Sequence, residues 1–336
     1  MNGSLFPTVR AGRLSASSLL WGVSSLVKPR LIAGFGLAAV AVAAVVYVSG
    51  FGASRSAPEV VWGKRGVQPG DLARPRAAVI DREDRLFIVD FTARIQAYDL
   101  DGNHLGFTWT TPDFRNGRPS GLGVDNQGRL IVCDSHYHCI RIYTPDGTEI
   151  KKFGGEPGTK PGQWGYVSDC VQDKDGYYYV SEFGQNDRIT KIDSEGKFVA
   201  CIGEPGQGPG QLNRVRALAL SPAGGLLYAV DACNHRIQVF TLQGEFVREF
   251  GGPGSGPGQF HLPYDIAFDR DGDLYISERG NCRVQKLTAD GKSLGTWGTP
   301  GKDPGQLADP WALAVDRFGR VHVIDTENHR VQRLKF

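Results

Sequence analysis

Between positions 133 and 139 the sequence gathers Cys133, Asp134, His136, His138 and Cys139. Thiolate, imidazole and carboxylate are the side chains that ligate zinc, which makes His136, His138 and Cys139 a candidate metal cluster. His-x-His is equally at home in a surface turn, and the leading expectation here is a turn with no metal and no cofactor. A second set recurs along the chain: an acid followed closely by an arginine, at Asp90/Arg94, Glu182/Arg188, Asp231/Arg236, Glu278/Arg283 and Asp325/Arg330. Carboxylates can serve as general acids or bases. Catalysis needs one special site, however, and five equal copies point to a repeated structural clip. One copy departs, with Asp134 facing Cys139. Gly-rich stretches such as GGPGSGPGQF would cradle a phosphate only between a strand and a helix. A strand follows them instead, and the stretch recurs, so they are turns.

The elements that position these residues come from a repeat. An apolar run ending in Asp, a Gly turn, a second apolar run ending in an acid, then Arg and a third run recur six times. Examples are AAVIDREDRLFIVDFTARIQAY and LAVDRFGRVHVIDTENHRVQRL. The first acid falls at Asp81, Asp125, Asp173, Asp269 and Asp316, with Ser221 in the fourth copy, at steps of 44, 48, 48, 48 and 47 residues. Each copy parses as four strands; in the fifth they are DIAFD, LYISE, RVQKLT and SLGTWG, with turns at Asp271-Gly272 and Asp290-Gly291. Four short antiparallel strands repeated at this period predict an all-β, six-bladed β-propeller over residues 59–336. The sixth copy stops at Phe336 after three strands. Glu59-Val60-Val61-Trp62-Gly63 matches the missing fourth strand and is expected to close the ring, removing an exposed edge.

Composition agrees with a folded, β-rich chain: 45 of 336 residues are Gly, and 22% are charged. Lys and Arg number 38 against 36 acids, a net charge of +2, so a nucleic-acid partner is not expected. Cys133, Cys139, Cys170, Cys201, Cys233 and Cys282 occupy non-equivalent positions, which excludes a disulfide framework and leaves a Cys133–Cys139 bridge as the one alternative.

Residues 31–54 carry no charge, long enough to cross a bilayer, and the preceding thirty residues hold Arg10, Arg13, Lys28 and Arg30 but no acid. The positive-inside rule then predicts a cytoplasmic segment at 1–30, with an interfacial helix at 14–27 as an option, and a transmembrane helix at 31–53. A short linker at 54–58 and an extracytoplasmic propeller complete the expected order. A cleaved signal peptide and a buried core helix are the competing readings of the apolar run.

Asn234-His235-Arg236 and Asn328-His329-Arg330, with Asn281-Cys282-Arg283, resemble the signature of NHL-repeat β-propellers, and the resemblance spans about residues 59–336. That family contains RNA-binding and interaction propellers and an enzyme, the peptidyl-hydroxyglycine amidating lyase. The resemblance implies that the lyase's three zinc-binding histidines would match positions among Arg76, Ser120, Ser168, Arg216, Tyr264 and Trp311, each beginning an innermost strand at the channel mouth. None is His, so the lyase reaction is not expected. The six residues, with Arg74, Arg118 and Arg214 beside them, form a candidate binding surface, since Arg forks suit carboxylate or phosphate. With no catalytic constellation found, the expectation is a non-enzymatic, membrane-tethered module binding other proteins, as an accessory subunit of a membrane complex. The alternative is a channel enzyme resembling gluconolactonases and strictosidine synthases, and a third reading is an RNA-binding propeller.

Overall fold

The computed structural model describes residues 57–336, so the segments expected at 1–30, 14–27 and 31–53, and most of the linker at 54–58, lie outside the described residues. Among the described residues no helix is long and apolar enough to cross a membrane. Besides two short two-stranded parallel ladders, Glu204–Pro205 with Gln211–Leu212 and Thr299–Pro300 with Gln306–Leu307, the described chain forms six four-stranded antiparallel sheets. Their inner strands are Pro75–Ile80, Gly121–Val124, Tyr166–Gln172, Val215–Leu220, Pro263–Phe268 and Pro310–Val315. Each inner strand touches the next, and the sixth touches the first, so they wall a closed central channel.

The second strand of each blade is the most buried. Leu86–Asp90 and Val321–Asp325 are buried at every position, because neighbouring blades cover both of their faces. This explains why these runs read as continuously apolar. The core lies between blades rather than within them. At the junction of the sixth and first blades, Ala312, Ala314, Ile324 and Val331 pack against Leu86, Ile88 and Tyr98.

That junction is closed as the sequence implies. Val60–Trp62 pairs with the third strand of blade six, Val60 opposite Arg333 and Trp62 opposite Val331. The Trp62 ring lies 4.8 Å from Tyr98 and fills the space over Gly102, where a Cβ would come within 2.3 Å of it. Gly102 also has φ +91°, so this turn needs glycine on two counts. Glu59 sits beside Arg333 and the Asp101 turn, at the face opposite the start of the inner strands. Strand Val60–Trp62 therefore begins at the face of the ring away from the start of the inner strands.

The alternative of a Cys133–Cys139 bridge fails on register. Cys133 faces Ile140 and Cys139 faces Asp134, so their side chains leave opposite faces of the hairpin. All six cysteines are free thiols.

Candidate functional site

Each inner strand is launched from a cross-tied corner. Arg74, Arg214, Leu262 and Asp309, two residues before the mouth positions of blades one, four, five and six, have φ between 50° and 61°. Non-glycine residues adopt this left-handed conformation rarely, and the surroundings must hold them there. The signature histidines help do so. The backbone N–H of Arg74 donates to His329 Nδ1 at 2.9 Å, and that of Leu262 to His235 Nδ1 at 3.0 Å, each across a blade boundary. His138 Nδ1 instead donates to the Gly165 carbonyl of the next blade at 2.7 Å. These rings are thus inter-blade ties.

The acid–arginine pairs anchor the same corners. Asp231 accepts from the Asn213 backbone, Asn234, Arg236 and Gln238, while Arg236 and Gln238 also hold the Gln211 carbonyl of the linker. Asp325 with Arg330, Glu278 with Arg283, Glu182 with Arg188 and Asp90 with Arg94 are built alike. In blade two the missing arginine is supplied two residues on, by Arg141 at 2.9 Å from Asp134. Cys139 there is buried, and burial pushes its thiol up to about 12. Among the described residues no three His, Cys, Asp or Glu side chains are grouped to hold a metal ion.

The corner ends in a break of register. Pairing jumps from Pro75 to Ala77, from Val167 to Asp169, from Pro263 to Asp265 and from Pro310 to Ala312, with a wider jump from Val215 to Leu218. A bulge turns the skipped residue out of the ladder and re-aims its side chain. The skipped residues include Arg76, Ser168, Tyr264, Trp311 and Arg216. With Ser120 they line one cavity of about 350 Å³ that runs into the channel.

These six positions are not equivalent. Ser120 Oγ donates to the Val167 carbonyl at 3.0 Å and is spent as a blade-to-blade tie. Ser168 Oγ is buried with no partner among the described residues. Tyr264 and Trp311 lie 5.3 Å apart, ring to ring. The Arg216 guanidinium stacks 4.2 Å from the Tyr264 centroid, and that of Arg76 lies 5.0 Å from Trp311. Phe91 carries Arg118 at 4.3 Å and Arg74 at 5.1 Å, while Phe183 carries Arg214 at 5.0 Å. Stacking of this kind is worth about 0.5–2 kcal/mol and holds a guanidinium flat while its edge stays open.

Arg74 pairs with Glu327 and Arg279 with Asp309. Among the described residues Arg76, Arg118 and Arg216 make no ion pair, and the Nε of each is buried without a hydrogen-bond acceptor. Burial, with Arg216, Arg118 and Arg74 nearby, brings the Arg76 guanidinium down to about 10. Arg216 is lowered too, by burial and then by Arg214 and Arg279, although Tyr264 opposes this. The mouth therefore holds positive charge that the protein itself leaves uncompensated.

One residue deeper the sign reverses. Asp169 and Asp265 stand where the other blades have Ala77, Gly121, Ala217 and Ala312, and both line the cavity. Burial pushes Asp169 up to about 6, and burial together with Asp169 pushes Asp265 up to about 7; Arg216 opposes both shifts. Neither acid was singled out from the sequence, nor were Phe91, Phe183 or Arg279. A signal was present for the acids: aligned copies read small residues at this position four times and Asp twice.

The model of the NHL repeat matches residues 116–143, 212–240 and 307–334. No curated protein matches the chain in sequence. Among solved structures the chain is similar to a streptogramin B lyase, at 13% identity and TM-score 0.57, covering 81% of this chain and 96% of that one. A catalytically inactive virginiamycin B lyase from Staphylococcus aureus with quinupristin aligns at 19% identity and TM-score 0.57, over 82% and 85% of the two chains. A gluconolactonase from Xanthomonas campestris aligns at 16% identity and TM-score 0.59, over 84% and 96%. These likenesses are to the fold. They nevertheless correct the expectation that the chain is not an enzyme. Enzymes are built on this architecture, and the absence of histidine at the six mouth positions excludes one zinc site, not catalysis.

Proposed function

This chain is a six-bladed β-propeller with NHL repeats, and from that premise we propose that the mouth of its channel is a recognition site for a small organic anion. The observation that carries the proposal is the set of guanidiniums at Arg76, Arg118 and Arg216, which lie in or beside one cavity with no carboxylate partner among the described residues. An internal pairing role would give each a carboxylate, as Glu327 and Asp309 do for Arg74 and Arg279. A carboxylate or phosphate between Arg76 and Arg216 would accept charge-assisted hydrogen bonds worth about 1.5–3 kcal/mol each. Tyr264 and Trp311 supply an apolar wall for the carbon part of the ligand. Binding of the anion is the step that a substrate and an inert ligand have in common.

Calorimetric titration tests this with three probes of similar size: butyl phosphate, butyrate and butylamine. The anions should bind at one site per chain and butylamine alone should not. Equal heats for all three, or none for either anion, would defeat the proposal.

The uncharged run at 31–53 and the basic, acid-free segment before it support a second element of the reading, a membrane tether with the propeller outside the cytoplasm and protein partners at that membrane. Retention of the full chain in membranes washed with alkaline carbonate, with protease reaching the propeller only from the outer side, is the expected result. Release into the wash would contradict it.

A further inference from the structure

The layering of charge within the channel narrows the ligand further, on the premise that the mouth takes an anion. We propose that the channel selects a bipolar ligand, whose anionic group stays with Arg76 and Arg216 while an ammonium group a few ångströms away reaches Asp169 and Asp265.

The two acids are built into the wall. Asp169 Oδ2 accepts from the Leu218 backbone of the next blade at 2.8 Å, and Asp265 Oδ2 accepts from Leu313 at 2.8 Å. Their own backbone N–H groups donate to Ser181 Oγ at 2.9 Å and Ser277 Oγ at 3.1 Å. Only the two blades with the Asp carry this serine; the residues facing Ala77, Gly121 and Ala312 are Val89, Cys133 and Ile324. Acid and serine thus come as a unit that fixes the carboxylate beside the channel.

The backbone bonds engage Asp169 Oδ2 and both oxygens of Asp265, whose Oδ1 accepts from Ile266 at 2.8 Å, and among the described residues neither acid makes an ion pair. Ser168 Oγ, 1% exposed and without a partner among the described residues, belongs to the lining of the same cavity and adds an acceptor for an N–H donor. The small side chains of Ala77, Gly121, Ala217 and Ala312 leave the rest of this layer uncluttered. A residue advances about 3.3 Å along a strand, so the acidic layer lies within a short carbon chain of the basic one. A plain anion gains only from the mouth and is repelled below it. A divalent cation would find two carboxylates and no third ligand among the described residues. An organic ammonium tied to an anion satisfies both layers.

The test compares 3-aminopropyl phosphate with butyl phosphate, which match in length and in phosphate and differ by an ammonium in place of a methyl. Titrated calorimetrically into the full chain at pH 8.5, the aminated probe should bind at least tenfold more tightly. Asp169→Asn and Asp265→Asn, which remove the charge and keep one carbonyl oxygen, should bring the two affinities together. Equal affinities in the unaltered protein would overturn the bipolar ligand while leaving anion recognition standing, and this comparison needs no variant to fold. A preference that survives both substitutions would also overturn it. Failure of both probes to bind would remove the anion site itself, and the inference with it.

Discussion

The guanidinium of Arg216 lies 4.2 Å from the centre of the Tyr264 ring, on the neighbouring blade, and makes no ion pair among the described residues. Its charge is buried, and the adjacent Arg214 and Arg279 add repulsion. A buried charge without a full partner is destabilising, so this residue is held at a cost to the empty protein. Arg216→Met, which keeps the stem and removes the charge, is expected to leave the thermal midpoint unchanged or a few degrees higher. The same substitution should weaken binding of butyl phosphate at least tenfold. A lowered midpoint with unchanged affinity would mean that Arg216 serves packing alone.

The two channel acids predict a specific pH dependence. Their folded-state values, about 6 for Asp169 and about 7 for Asp265, lie above the ordinary carboxylate value of the unfolded chain. The folded state therefore holds protons that the unfolded state has released. The stabilisation is complete below about pH 4 and is lost as pH rises through 6 and 7. The charged groups facing Asp265 are Asp169 from blade three and Arg216 from blade four, of opposite effect. Asp265→Asn mimics the protonated form. Its thermal midpoint relative to the unaltered protein should rise between pH 4.5 and pH 8, and a constant difference would refute the assignment.

Ring closure rests on a single short strand. Removal of residues 1–58 should leave the propeller's cooperative unfolding intact, whereas removal of residues 1–63 strips Val60–Trp62 from the edge of blade six. The exposed edge is an aggregation hazard. Trp62→Ala alone is expected to cost about 3–5 kcal/mol in denaturant unfolding, through the space left against Tyr98 and Gly102. An unchanged midpoint after removal of residues 1–63 would show that the seam closes without them.

The fourth prediction concerns the repeated clip. Asp231 collects Asn213, Asn234, Arg236 and Gln238 in one buried hub, so Asp231→Ala leaves those donors short of an acceptor, with Glu249 as the remaining carboxylate on Arg236, and should cost about 3–5 kcal/mol. Asp146→Ala, on an exposed turn, is the control and should leave the unfolding midpoint essentially unchanged. Equal effects would deny the clip its structural role.

Blade number and strand order are legible in the sequence because they are local patterns of turns and alternating runs repeated along the chain, and the closure by Glu59–Gly63 because one copy alone lacks the fourth strand that the others have. Four of the six mouth positions, Arg76, Arg216, Tyr264 and Trp311, follow the residue that opens an inner strand, whereas Ser120 stands just before its strand and Ser168 two residues into it. What the repeat hides is whatever depends on contacts between blades. His138, His235 and His329 look like loop residues until their rings are seen to tie the next blade's corner. Arg141 looks like one more residue of a strand until it is found replacing the missing partner of Asp134. Asp169 and Asp265 lie in ordinary inner-strand runs, and only the closed ring brings them into one channel with Arg216. Stacking of Arg118 on Phe91 joins side chains from different blades, which no spacing along the chain encodes.

The central claim is that an anion sits at the channel mouth between Arg76 and Arg216. Crystals soaked in selenate, a tetrahedral dianion with a strong anomalous signal, test it most directly. The account predicts an anomalous peak inside the channel within hydrogen-bond reach of both guanidiniums, lost in crystals of Arg76→Met. A channel without a peak, or peaks confined to the outer surface, would contradict it.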